Sequence, residues 1–141
     1  MKVPQKNVEL SSSKLSRKEE DLQFEEYSAE ELILTKYVRN SFLALKVAFF
    51  NQIYDLCQAS NIDYNNVTKG VTQDNRIGSS HTTITEQRGF GGHCFPKDTS
   101  ALIKLTNELG VVNNVLKASE ATNTKVRKNK DWEKMKGRAV L

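Results

Sequence analysis

The feature that most constrains this chain is a long apolar recurrence. Leu34, Val38, Phe42, Leu45, Phe49, Ile53 and Leu56 return every three or four residues. That period belongs to a helix, not a strand. Leu43, Val47, Phe50, Tyr54 and Cys57 widen the stripe. Ser28 and Glu31 form an S-x-x-E capping box ahead of it. The pattern predicts a helix from about residue 29 to residue 59, roughly 45 Å long at ~1.5 Å per residue. An apolar face this wide implies packing on more than one side, one of them against a subunit partner.

The remaining order follows from breakers and caps. Asn61 and Asp63 end the long helix, and Asp63 caps a shorter one over Tyr64 to Thr72. Residues 74 to 98, with Gly78, Gly89, Gly91, Gly92 and Pro96, read as a long loop. Asp98 or Thr99 is the expected N-cap of a helix carrying Leu102, Ile103, Leu105 and Leu109 and ending at Gly110. A further helix is expected from about Val111 to Lys128. The first 24 residues are polar, with no apolar periodicity and no secretory h-region, and read as flexible. Lys136 to Leu141 reads as a turn into a buried strand. The fold class is therefore mainly α: a central helical domain over residues 25 to 129, between a polar segment (1 to 24) and the start of another domain (130 to 141).

Composition excludes several classes. The 141 residues contain no apolar run near a membrane span, and 27% of them are charged. Nothing directs the chain out of the cytoplasm. The net charge of +4 gathers near the C-terminus, from Lys125 to Arg138, where a solvated helix face is the plainer reading than nucleic-acid binding, for which no reading motif occurs. Cys57 and Cys94 are expected to be thiols.

The chemistry-bearing stretch is Gly89-Phe90-Gly91-Gly92-His93-Cys94-Phe95-Pro96-Lys97-Asp98. Its glycines let backbone approach a ligand closely. A cysteine just before a helix start, with Lys97 nearby, sits where N–H groups and the helix dipole favour a thiolate nucleophile. A buried structural cysteine fits the same position. Lys36 and Asn40, four apart on one face, would donate hydrogen bonds to an oxyanion, or would snorkel and bond locally. Arg76 would grip a phosphate or sugar, or would close a surface salt bridge. His93 is adjacent to Cys94, and neighbours in sequence rarely form a dyad; His81 stands alone, and neither belongs to a zinc spacing. No G-x-G-x-x-G or Walker A pattern occurs.

GFGGHCFPKD, preceded in order by KYVRNSFLALKVAFFNQIYDLC and DNRIG, resembles the central domain of the UDP-glucose and GDP-mannose dehydrogenases from about Tyr27 to Lys128. KGRAVL is similar to the first strand of that family's C-terminal domain. The resemblance implies a two-step oxidation of a nucleotide sugar at C6 with NAD, of UDP-glucose to UDP-glucuronate in the nearer branch. It implies Cys94 as the residue forming the thiohemiacetal and thioester, Lys36 and Asn40 as oxyanion donors and substrate contacts, and Asp98 as the group that activates or positions water. It implies Lys97 near the cofactor pyrophosphate, Arg76 on the nucleotide sugar, Phe90 and Gly91 lining the sugar site, and a homodimer through the long helix. The sequence departs from the family in three ways. The N-terminal Rossmann region, with its catalytic glutamate, and most of the C-terminal domain have no counterpart in residues 1–141. The loop from Ser79 to Arg88 is longer and more polar than expected. The expectation is a central-domain fragment, inactive without a separate Rossmann-domain chain; the alternative is a non-catalytic dimerisation or assembly module.

Overall fold

A computed structural model describes residues 27–135. The expectations for residues 1 to 24 and for the strand at Lys136 to Leu141 lie outside these residues. The observed order is α1 (Ala29–Ala59), α2 (Tyr64–Thr72), α3 (Cys94–Glu108), α4 (Asn114–Val126) and a short 3-10 helix, η1 (Asp131–Met135). The mainly helical class holds, and no strand occurs among the described residues.

Local chemistry sets the ends of α1. The Glu31 N–H donates to Ser28 Oγ at 3.2 Å, and the Ser28 N–H donates to Glu31 Oε2 at 2.7 Å. This is the capping box, and it satisfies two groups at opposite ends of the first turn. At the other end Asn61 takes φ 55°, and the Ile62 N–H closes back on Cys57 O at 2.9 Å. Asparagine tolerates that left-handed backbone better than most residues.

The two apolar sets on α1 face opposite ways. The widening set looks inward: Phe50 and Cys57 are buried with Tyr64, and Ile53, Tyr54, Val67, Val71 and Ile84 pack around them. The main stripe, apart from Ile53, looks outward, with Leu34, Val38, Phe42, Phe49 and Leu56 exposed, Phe42 at 63%. The inward side also carries a row of small and polar residues, Ser41, Ala44, Ala48 and Asn51, all buried. These positions repeat at helical spacing and let α3 and α4 lie close against α1. Ala44 and Ala48 form the floor of a second core cluster under Phe90, with Val47 and Phe95 at its edge. Ala48 is 1% exposed, so Ala48→Leu would force Phe90 and α1 apart. It is expected to cost about 2 kcal/mol, read as a lower urea midpoint with an unchanged slope.

One expectation about α3 is corrected. The helix begins at Cys94, not after Asp98 or Thr99. Pro96 falls in the first turn, where its missing N–H is one of the groups a helix leaves unpaired anyway. Asp98 and Thr99 are buried inside the helix and do not cap it. The C-terminus is where the sequence placed it: Gly110 takes φ 67°, and the Val111 N–H donates to Thr106 O at 2.8 Å. The last helix is shorter than expected, running from Asn114 to Val126.

Candidate active site

Two elements meet around Asp98. Asn40 comes from α1, and Lys97 and Asp98 come from the first turns of α3. The Asn40 Nδ2 donates to Asp98 Oδ2 at 2.6 Å across 58 residues of chain. The Lys97 Nζ donates to Asp98 Oδ1 at 2.5 Å. Asp98 is fully buried, at 0% exposure. A buried carboxylate needs partners for both oxygens, and here each has one. Burial pushes this carboxyl up. The hydrogen bonds from Lys97 and Asn40, with the charges of Lys97 and Lys36, outweigh burial and hold it below the usual 3.8. The bond to Asp98 in turn raises the Lys97 ammonium above its ordinary value against the opposing effect of desolvation.

Cys94 opens α3 and is exposed. It stands near enough to Lys97 for the two to interact electrostatically. The structure therefore brings together Lys36, Asn40, Cys94, Lys97 and Asp98. Asn40 does not bond only locally, and one of its two amide hydrogens remains for another acceptor. Lys36 is exposed at the edge of the group.

The other expected residues stand apart. Arg76 forms a close two-point pair with Asp74, Nη2 to Oδ2 at 2.6 Å and Nε to Oδ1 at 3.0 Å, and its side chain is 89% exposed. Such a pair contributes little stability. Its turn is tied to α1 by Lys46, whose Nζ donates to Ile77 O and Gly78 O at 2.7 and 3.0 Å. Arg76 also borders a cavity of about 350 Å³ with Phe42, Leu45 and Phe49 of the exposed stripe. The Phe90 ring is buried on Ala44 and Ala48. Gly91 is covered by Arg127 and Asp131: a Cβ there would stand 2.3 Å from Arg127 Nη2. His93 precedes the helix without capping it, and the His81 ring lies against Phe95 at 5.6 Å.

Sequence reasoning missed Tyr37, over whose ring the Lys97 ammonium sits at 5.6 Å. It is next to Lys36, but nothing in the sequence indicates that a residue 60 positions away lies on it. Asn51, Asn123 and Asp131, which bond the glycine loop, were missed as well. For Asn51 and Asn123 the only signal was a polar residue at an otherwise small or apolar helical position, and Asp131 gave none.

The described residues contain no glycine-rich phosphate loop of the strand-to-helix kind, and Lys97, expected near a pyrophosphate, donates one bond to Asp98.

Comparison with known proteins gives a consistent result. The model of the UDP-glucose/GDP-mannose dehydrogenase family, central domain, matches residues 28–125. A UDP-glucose 6-dehydrogenase from Pseudomonas aeruginosa is 40% identical over 91 residues, 64% of this chain and 20% of the relative. One from Bacillus subtilis is 39% identical over 94 residues, 67% of this chain and 20% of the relative. One from Rhizobium meliloti is 44% identical over 75 residues, 53% of this chain and 17% of the relative. The chain thus spans about a fifth of the length of the curated relatives it matches.

Proposed function

Since the chain belongs to the UDP-glucose/GDP-mannose dehydrogenase family by its central domain, we propose that it supplies the covalent half of an NAD-dependent oxidation of UDP-glucose to UDP-glucuronate. The observation that carries this reading is the exposed Cys94 at the start of α3 beside the Asn40–Asp98–Lys97 cluster. The oxidant, NAD, is held by a nucleotide-binding domain outside the described residues, and a separate chain is one source of it.

The chain's own steps follow from its groups. The Cys94 sulfur adds to the C6 aldehyde carbon, and the carbonyl oxygen becomes an oxyanion. Asn40 gives that oxygen its free amide hydrogen, and Lys36 adds positive charge. Protonation yields a thiohemiacetal; once it is oxidised to the thioester, water replaces the sulfur and a carboxylate leaves. Asp98, with both oxygens engaged and its carboxyl held low, is a weak base, so it serves mainly to hold Asn40 and Lys97 in place. A second copy covers the outward stripe of α1. Arg76, beside that stripe, then reaches the nucleotide sugar of the partner.

The thiohemiacetal forms without oxidant, which gives a direct test. The chain is incubated with the C6 aldehyde of UDP-glucose and then with iodoacetamide, and each cysteine is quantified by peptide mass spectrometry. At aldehyde about ten times its dissociation constant, alkylation of Cys94 is expected to slow about tenfold, with Cys57 unaffected. UDP-glucose, an alcohol at C6, protects less. The exposed stripe of α1 also fits the alternative of a non-catalytic assembly module. A stable dimer whose Cys94 the aldehyde leaves unprotected would favour that alternative.

A further inference from the structure

The loop that leads into Cys94 is held by side chains from outside it. Asn123 of α4, 2% exposed, closes two bonds on one residue. The Phe90 N–H donates to its Oδ1 at 2.7 Å, and its Nδ2 donates to Phe90 O at 2.9 Å. Asn51 of α1, 1% exposed, accepts the Gly89 N–H on Oδ1 at 3.1 Å and the Arg88 Nε–H on the same oxygen at 2.8 Å. Asp131 of η1 accepts the Gly92 N–H at 2.9 Å, and Arg127 donates to Arg88 O at 3.0 Å. The amides of Gly89, Phe90 and Gly92 are thus all bonded to side-chain oxygens. The fit is close enough to dictate glycine at 89: a Cβ there would stand 2.2 Å from Asn123 Oδ1.

Both ends of this arrangement rest on one helix. Asn40 and Asn51 lie about three turns apart on the same side of α1. The first anchors Asp98 just after Cys94, and the second anchors Gly89 just before it. Asn123 fixes the peptide between.

We infer that Asn123 is a positioning residue for Cys94. By clasping the Phe90 peptide on both edges, with Asn51 and Asp131 holding the flanking amides, it sets where the sulfur stands relative to Lys36, Lys97 and Asp98. The inference rests on the proposed role of Cys94 as nucleophile.

The test uses the whole chain and two alkylating reagents, neutral iodoacetamide and anionic iodoacetate, with Cys94 and Cys57 quantified separately. Lys97 lies close to Cys94, and the Asp98 carboxylate it bonds is also faced by Lys36, so two ammoniums and one carboxylate leave net positive charge in this cluster. Held there, Cys94 is expected to favour the anionic reagent about threefold more in the folded chain than in urea. Asn123→Leu keeps the side-chain shape and the charge but loses both bonds to Phe90. It is expected to erase that preference and to speed amide exchange across Gly89–Gly92 about tenfold, while Cys57 stays protected. A folded variant with unchanged preference and unchanged exchange overturns the inference and leaves the reading of Cys94 intact. A parent chain with no preference overturns the reading of the site, and the inference with it. Should Asn123→Leu expose Cys57, Asn123→Ser decides: loss of preference with Cys57 protected supports the inference, and retention overturns it.

Discussion

Asp98→Ala is expected to lower the unfolding free energy of the chain by about 3 kcal/mol. The side chain is fully buried, and its removal leaves the Lys97 ammonium and the Asn40 amide, both bonded only through its oxygens in this cluster, facing a void. The large term is the stranded ammonium in a partly dry site, not the lost attraction. The effect depends on pH in a fixed direction. The Asp98 carboxyl is held below its ordinary 3.8 in the folded state, so the folded chain binds fewer protons there than the unfolded chain. Its contribution is complete above about pH 4 and disappears as pH falls through the folded-state value. Asp98→Asn, with the same shape and no titration, has no such slope from this site. The gap between parent and Asp98→Asn in urea unfolding is expected to narrow below pH 4. A gap constant from pH 7 to pH 3 would show that the carboxylate is not stabilised by these neighbours.

Phe42→Glu with Phe49→Glu is expected to convert a dimer to monomers, raising the dissociation constant about a thousandfold. Both rings are more than half exposed on the outward stripe of α1, in line with Leu34, Val38 and Leu56. Burying each ring against a second copy removes about 2 kcal/mol of exposed apolar surface, and a carboxylate in its place must be dried without a partner. Neither ring belongs to the core cluster under Phe90, so the variant is expected to keep its helix content. Sedimentation velocity separates the outcomes. A parent that is monomeric, or a doubly charged variant that still dimerises, contradicts the α1 interface.

Much of this fold could be read from the sequence because the cues were local. The Ser28–Glu31 box, the Asp63 cap and the glycine at 110 each act within one turn of chain. Of the two interleaved apolar sets on α1, the one holding Phe50 and Cys57 packs inward as its spacing implied, while most of the other is exposed. The start of α3 was placed five or six residues late. Pro96 and the glycines before it suggested loop, while the helix is fixed by tertiary bonds from Asp98 to Asn40 that no local rule contains. The candidate site divides in the same way. Lys36 and Asn40 were visible as a pair by their spacing, and Cys94 by its glycines. That Asn40 meets Asp98, that Lys97 lies over Tyr37, and that Asn123 holds Phe90 all depend on long-range packing of α1 with α3 and α4. Lys36 and Asn40 had a plainer reading, a snorkelling lysine and a locally bonded amide. It failed for Asn40 because its acceptor came from another helix.

The most direct test of the central claim is a graft. Residues 28–125 replace the matching segment of the Pseudomonas aeruginosa relative, and NAD reduction is followed with UDP-glucose. The graft is expected to turn over, and Cys94→Ser in it to lose at least about a thousandfold in kcat. A folded graft that is inactive, or one that works equally well without the Cys94 thiol, would contradict it.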